Sequence, residues 1–293
     1  SLETNTTGDS NTGIGVSSLA SNTTGANNTA VGSAALGSNT TGSANTAVGK
    51  GALDASTTGT RNVVMGVDAM TTATTGDDNV FIGYEAGTSL TTADDNVGVG
   101  KSALAANTTG TENTAVGALA GDAITTGGYN TGVGSAALGA TTTGTFNVGV
   151  GRNALLVNTT GGSNVAVGGQ SLDANTSGGN NTAVGTSSLG ANTTGASNVS
   201  VGQACLAGNT TGSSNTAVGQ GALDANTTAD NNTAVGVNSL GANTTGSENV
   251  ALGLNALLTN TTAAENVAVG VNAMYANTCL LYTSDAADDL LCV

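Results

Sequence analysis

A register that returns every 17 residues, with no insertion or deletion, is the strongest constraint on this chain. Rows written from Asn28 ("NTAVGSAALGSNTTGSA"), Asn45 ("NTAVGKGALDASTTGTR") and Asn62 ("NVVMGVDAMTTATTGDD") are copies of one unit. Asn opens all sixteen rows from Asn11 to Asn266, Gly holds the fifth position from Gly15 to Gly270, and Thr holds the thirteenth from Thr23 to Thr278. Loops of ordinary domains tolerate changes of length, so a fixed length means that each unit stacks on its own copy. Ser1–Ser10 fit positions eight to seventeen of a preceding row, so residues 1–278 are expected to form a single repeat array whose first coil is partial.

The pattern stops after Thr278. Residues 279–293 ("CLLYTSDAADDLLCV") follow no row, and their first ten resemble a translated sequencing adapter of the transposase type. They are read as a non-native tail on a fragment of a longer gene and set aside from fold reasoning. Cys279 and Cys292 leave with them, and Cys205 occupies a position held elsewhere by Ala or Ser, so it reads as a small core residue. No disulfide framework or zinc-ligand spacing is then left. Setting aside Asp285, Asp288 and Asp289 leaves sixteen acids against four bases, a net charge of −12. Lys50, Arg61, Lys101 and Arg152 are too scattered for a phosphate-binding stripe, which argues against nucleic acid as a partner. No apolar run approaches the ~20 residues that a membrane-spanning helix needs.

Positions two to four of each row read Thr or Val, then Ala, Gly or Ser (Val64 and Phe81 in two rows), then Val, Ile, Met or Leu, opened by Asn and closed by Gly. This is a short β-branched strand. A 17-residue unit is too short for a helical hairpin repeat, and no helical apolar stripe is sustained. The expected fold is all-β, a parallel β-solenoid (β-roll) with one row per coil. Positions two and four are expected to line the core, as at Val31 and Val48, together with position nine, as at Leu36 and Leu53. Gly87 and Gly121 interrupt position nine, and in those rows position twelve becomes Leu90 and Ile124, so positions nine and twelve are expected to fill the same space.

Stacked copies of one polar side chain can hydrogen-bond along the stack. Asn28, Asn45, Asn62, Asn79 and Asn96, with Thr40 and Thr57, are therefore assigned to ladders. Gly32, Gly49 and Gly66 are assigned to a corner that needs positive φ or close backbone approach. Position three is never charged and, by alternation, is expected to point away from the coil's core. A strand apolar on both faces is normally covered on both, so a homo-oligomer is expected, with a parallel trimer favoured. With no capping unit in sight, an end-to-end filament is the other assembly considered.

Chemistry beyond stacking has few candidates. The chain has no His, so Ser–His and Cys–His pairs are excluded, and it is read as a non-enzyme. "GVGKS" at Gly98–Ser102 imitates the end of a phosphate loop, but Asp95 stands where the earlier Gly is required. Asp77, Asp78, Asp94 and Asp95 fall at positions sixteen and seventeen of successive rows, a candidate Ca²⁺ site if stacking brings the four carboxylates together. The Asn-Thr-Thr triplets at Asn22, Asn39, Asn107, Asn158 and Asn192 are formal glycosylation acceptors that repeat chemistry also generates. Regular threonines invite a surface-binding reading, with glycan, host protein or ice as target.

The unit "NTAVGxxALxANTTGxx" resembles repeats of bacterial and phage tail-fibre-like proteins, many of which end in a self-cleaving chaperone domain. More loosely it is similar to the "SVAIG"-type repeats in the heads of YadA-type trimeric autotransporter adhesins. The resemblance covers residues 11–278. It implies a left-handed β-roll within a trimeric fibre that is extracellular, on a cell surface or borne on a virion, with a structural or adhesive role.

Overall fold

The computed structural model describes residues 1–276. The end of the sixteenth row and the adapter-like tail at 279–293 lie outside the described residues. The chain divides into two compact units, Ser1–Thr160 and Gly161–Val293. The first holds nine strands, β1 (Thr12–Ile14) to β9 (Val148–Val150), and the second holds seven, β10 (Val165–Val167) to β16 (Val267–Val269). Every strand has three residues. Within each unit neighbouring strands pair in parallel and in step with the 17-residue period, as in Thr29↔Thr46, Ala30↔Ala47 and Val31↔Val48. Each unit is a parallel β-solenoid with one repeat row per coil.

Backbone groups outside the strands are satisfied by the same stacking, which answers where the polar groups of so loop-rich a chain go. Position two donates to the next coil (Thr29 N–H to Asn45 O, 2.8 Å), and position five to the preceding one (Gly49 N–H to Val31 O, 2.8 Å). Position nine donates to the next coil (Leu36 N–H to Ala52 O, 3.0 Å), as does position thirteen (Thr40 N–H to Thr57 O, 2.9 Å). Positions seven, nine and seventeen adopt left-handed φ, as at Ala34 (59°), Leu36 (51°) and Ala44 (59°). That conformation crowds Cβ, and a second branch at Cβ makes the crowding worse. Although Thr and Val abound in the chain, none occupies any of these three positions. Leu53→Ile, nominally conservative, should therefore cost about 2–3 kcal/mol in urea unfolding, against under ~1.5 kcal/mol for an ordinary core Leu→Ile swap.

The core is built from positions three, eight, nine and twelve. Ala30, Ala35 and Leu36 are fully buried in one coil, and Ala47, Ala52 and Leu53 in the next. This reverses the expected alternation: position three points inward, while Val31 and Val48, expected in the core, are half-buried on the outer side. The reason is the width of the coil. Leu at position nine reaches across to the strand, which leaves room for only a small inward residue there. Where position nine is Gly87, position three becomes Phe81, fully buried; a Cβ on Gly87 or on Gly98 of the next coil would lie 2.5–2.6 Å from the Phe81 ring. Leu90 is buried in the same coil. At Gly121 a Cβ would meet Ile124 Cδ1 at 2.9 Å, so there position twelve does fill the space left by position nine. Phe81→Ala would leave a cavity flanked by two glycines that cannot fill it, and should cost about 3–5 kcal/mol by urea unfolding.

Candidate interaction surface

The invariant Asn residues face inward and bind one another, and the half-buried Thr of position thirteen bonds along the stack. Asn28, Asn45, Asn62, Asn79 and Asn96 are fully buried. The backbone N–H of Asn45 donates to Asn28 Oδ1 (2.9 Å), and those of Asn62, Asn79 and Asn96 each donate to the preceding Asn Oδ1 at 3.0 Å. The amide also ties its own coil together: Asn28 Nδ2 donates to Gly42 O (2.8 Å) and Asn45 Nδ2 to Gly59 O (2.7 Å). Thr40 Oγ1 donates to Thr57 O (2.9 Å), and Thr57 Oγ1 to Thr74 O (3.2 Å). These hydroxyls and amides are structural hydrogen-bonding groups.

A second asparagine ladder, absent from the sequence reading, runs at position twelve. Asn39 Nδ2 donates to Asn22 Oδ1 (2.8 Å), and in the second unit Asn209 Nδ2 donates to Asn192 Oδ1 (2.9 Å). These are the residues of the formal sequons. Asn22, Asn39, Asn107, Asn158 and Asn192 are all fully buried, so none of these five presents its amide nitrogen to a glycosylating enzyme.

Among the described residues the acidic side chains are not grouped as a metal centre would need. Asp77 Oδ1 accepts from Thr60 N–H (2.6 Å) and Thr60 Oγ1 (3.0 Å), and Asp94 Oδ1 accepts from Asp77 N–H (2.8 Å). Asp78 is held by a two-pronged pair with Arg61, whose Nε and Nη2 each donate at 2.6 Å. That pair lowers the Asp78 carboxyl and raises the Arg61 guanidinium from their ordinary pKa values. Among the described residues no group of three or more His, Cys, Asp or Glu side chains is placed to hold a metal ion. The expected convergence of Asp77, Asp78, Asp94 and Asp95 fails because a position-sixteen carboxylate turns back to cap the previous coil's backbone. Adding Ca²⁺ or a chelator should leave the melting temperature unchanged to within about 1 °C, since a stabilising ligand must bind the folded state.

Gly98–Ser102 is no phosphate cradle, because Gly100 N–H already donates to Ile82 O at 2.8 Å. Cys205 is buried, and that burial pushes its thiol pKa up, which disfavours the reactive thiolate. Among the described residues no helix is long and apolar enough to cross a membrane.

What faces outward is the strand. Positions two and four carry only Thr, Val, Ile, Met or Leu in all sixteen rows, with no charged residue. Met65, Ile82, Val116, Val133 and Val150 in the first unit are 36–41% exposed, and Val167, Val184, Val201, Val218, Val235 and Leu252 in the second are 36–39% exposed. Charge is kept off this face. Acids collect at positions ten, sixteen and seventeen, as at Asp54, Asp122, Asp94 and Glu112. Elsewhere, position fourteen presents an exposed rank of threonines from Thr24 to Thr143. At position seventeen Tyr129 and Phe146 stack across adjacent coils, with ring centroids 4.8 Å apart and planes 7° from parallel.

These features define a parallel β-solenoid with a buried polar scaffold and an uncharged, partly exposed strand face in each unit. No protein-family model matches the chain, and no curated protein is significantly similar to it.

Proposed function

We propose that the chain is a structural or adhesive segment of an extracellular or virion-borne fibre, in which stacked coils supply stiffness and the strand face packs against further copies of the chain. The carrying observation is the composition of that face, which is aliphatic or Thr at every outward position of sixteen rows. Parallel strands are normally covered on both faces, and extended apolar surface on a soluble protein marks a contact site. The reason for association is thus the β-branched outer residues, not the small residues at position three. A parallel trimer is the expected stoichiometry, in keeping with the resemblance of the repeats to fibre and adhesin repeats. The reading assigns the chain no catalytic step.

Sedimentation equilibrium on the full chain tests this reading. A defined oligomer that dissociates on dilution is the expected result. A folded monomer at all concentrations would contradict it. The exposed threonine rank would then carry the second reading, a single-chain solenoid that binds a surface such as glycan, host protein or ice.

A further inference from the structure

The strand face of the first unit is not uniform. Most of its outward position-four residues are Val, and position six beside them is small or polar in several coils, as at Ser33, Ala118 and Ser135. Two neighbouring coils differ. Met65 and Ile82 occupy position four, paired strand to strand, with Val67 and Tyr84 at position six. Val63, Met65, Val67, Ile82 and Tyr84 are 36–49% exposed, the broadest run of large outward apolar side chains between the third and eighth rows.

Charges of both signs rim this patch. Lys50 and Lys101 stand at position six of the coils on either side, and Asp68 and Glu85 at position seven of the two patch coils. The corner is tightly stacked: Asp68 N–H donates to Lys50 O (2.9 Å), Glu85 N–H to Val67 O (3.1 Å) and Ser102 N–H to Tyr84 O (2.9 Å). The neighbouring Glu85 carboxylate raises the Tyr84 phenol pKa. The salt bridges among the described residues join Ser1 to Glu3 and Arg61 to Asp77 and Asp78. Neither lysine, and neither Asp68 nor Glu85, takes part in one. An apolar centre ringed by two cations and two carboxylates without ion-pair partners has the anatomy of a protein interface. A second copy of the same chain supplies both the matching apolar surface and the opposite charges, because Lys50 stands one coil before Asp68 and Lys101 one coil after Glu85.

We propose that the Met65–Ile82–Tyr84 patch is the anchor at which a second copy of this chain seats in register. It concentrates the binding energy of assembly and sets the alignment of the copies, while the plainer Val and Thr rows add complementarity. This inference rests on the self-association proposed above and adds where that association is anchored.

Two full-chain variants and one cross-link test it. Met65→Lys/Ile82→Lys should weaken self-association at least about tenfold in sedimentation equilibrium, the loss expected from an interface hot spot. Val116→Lys/Val133→Lys, the same change at outward positions away from the patch, should weaken it less than about threefold. Circular-dichroism melts of both should keep the parent's cooperative transition, shifted no further than the loss of association accounts for, because the substituted side chains are already partly in water. In a Cys279→Ser/Cys292→Ser background, Ile82→Cys should form a disulfide between chains on mild oxidation. Equal weakening by the two Lys pairs, or an Ile82→Cys protein that associates yet forms no cross-link between chains, would overturn the anchor while leaving the fibre reading intact. A parent chain that is monomeric throughout would overturn both.

Discussion

Replacing Gly49 with Ala should destabilise the first unit by about 3–6 kcal/mol, while the same substitution two residues later, at Gly51, should cost about 1 kcal/mol or less. Both glycines have positive φ, 139° at Gly49 and 66° at Gly51. The difference lies in what surrounds them. Gly51 occupies a left-handed position that Ala34 and Ala136 fill in sister coils at φ of 59° and 54°, so alanine is demonstrably accommodated. Its new Cβ would approach Asp68 Oδ1 at 2.7 Å, the end of a side chain that can move. At Gly49 the Cβ would sit 2.6 Å from the carbonyl carbon of Gly66 and within contact of its oxygen, backbone that cannot move by itself. Relief would require wider coil spacing, against the Gly49 N–H to Val31 O and Gly66 N–H to Val48 O bonds at 2.8 and 2.9 Å. Urea unfolding of the two variants, followed by circular dichroism, checks the contrast.

Asn62→Asp should be nearly as damaging at neutral pH, and its cost should depend on pH. Asn62 is fully buried. Its Nδ2 donates to Gly76 O (2.8 Å) and Asn45 Oδ1 (3.2 Å), and its Oδ1 accepts from the backbone N–H (3.0 Å) and Nδ2 (3.2 Å) of Asn79. Aspartate keeps the two acceptor contacts and turns both donations into repulsions between oxygens. An ionised carboxylate would also be buried with no cation beside it, and removing one partner from such a site costs about 3–5 kcal/mol. Burial raises the folded-state pKa of the new carboxyl above its unfolded value. The protein is therefore least impaired below about pH 4, and stability falls as pH rises through the raised pKa. Protonated, the carboxyl can restore one donation, so the cost at pH 3 should drop to about 1–2 kcal/mol. Thermal melts of variant and parent from pH 3 to pH 8 measure this.

Much of this architecture is readable from the period alone. The coil length, the strand at positions two to four, the Asn and Thr ladders and the crowded glycine at position five each follow from one fact, that identical residues stack. The direction of the strand side chains did not follow. Position two beside position four looks like a core face, because both are β-branched and the residue between them is small. The deciding quantity is core width, which depends on how far Leu36 reaches across the coil. One sequence sign pointed the right way: the only Phe at position three, Phe81, coincides with Gly87 at position nine. That trade makes sense only if both point inward.

The same holds for the candidate sites. Asp77 and Asp94 are adjacent in the stack as expected, but a short carboxylate beside an open backbone N–H caps it in preference to gathering a cation. Asn22 and Asn39 fit a glycosylation motif by type and spacing, and burial removes them from use. The left-handed positions seven, nine and seventeen also had a signature, the absence of Thr and Val in a chain rich in both. It is visible only by asking which residues a position never holds.

The central claim is that position three faces the core and position four faces out, toward the surface available for assembly. Lys substitution at the adjacent pair Ala115 and Val116, 1% and 37% exposed, tests it most directly by urea unfolding. The structure predicts that Ala115→Lys unfolds the first unit or costs more than about 4 kcal/mol, because a charge enters a core of alanine and leucine. Val116→Lys should leave stability within about 0.5–1 kcal/mol of the parent. A stable Ala115→Lys protein beside a disrupted Val116→Lys protein would contradict the assignment of both faces and, with it, the surface through which the copies are proposed to meet.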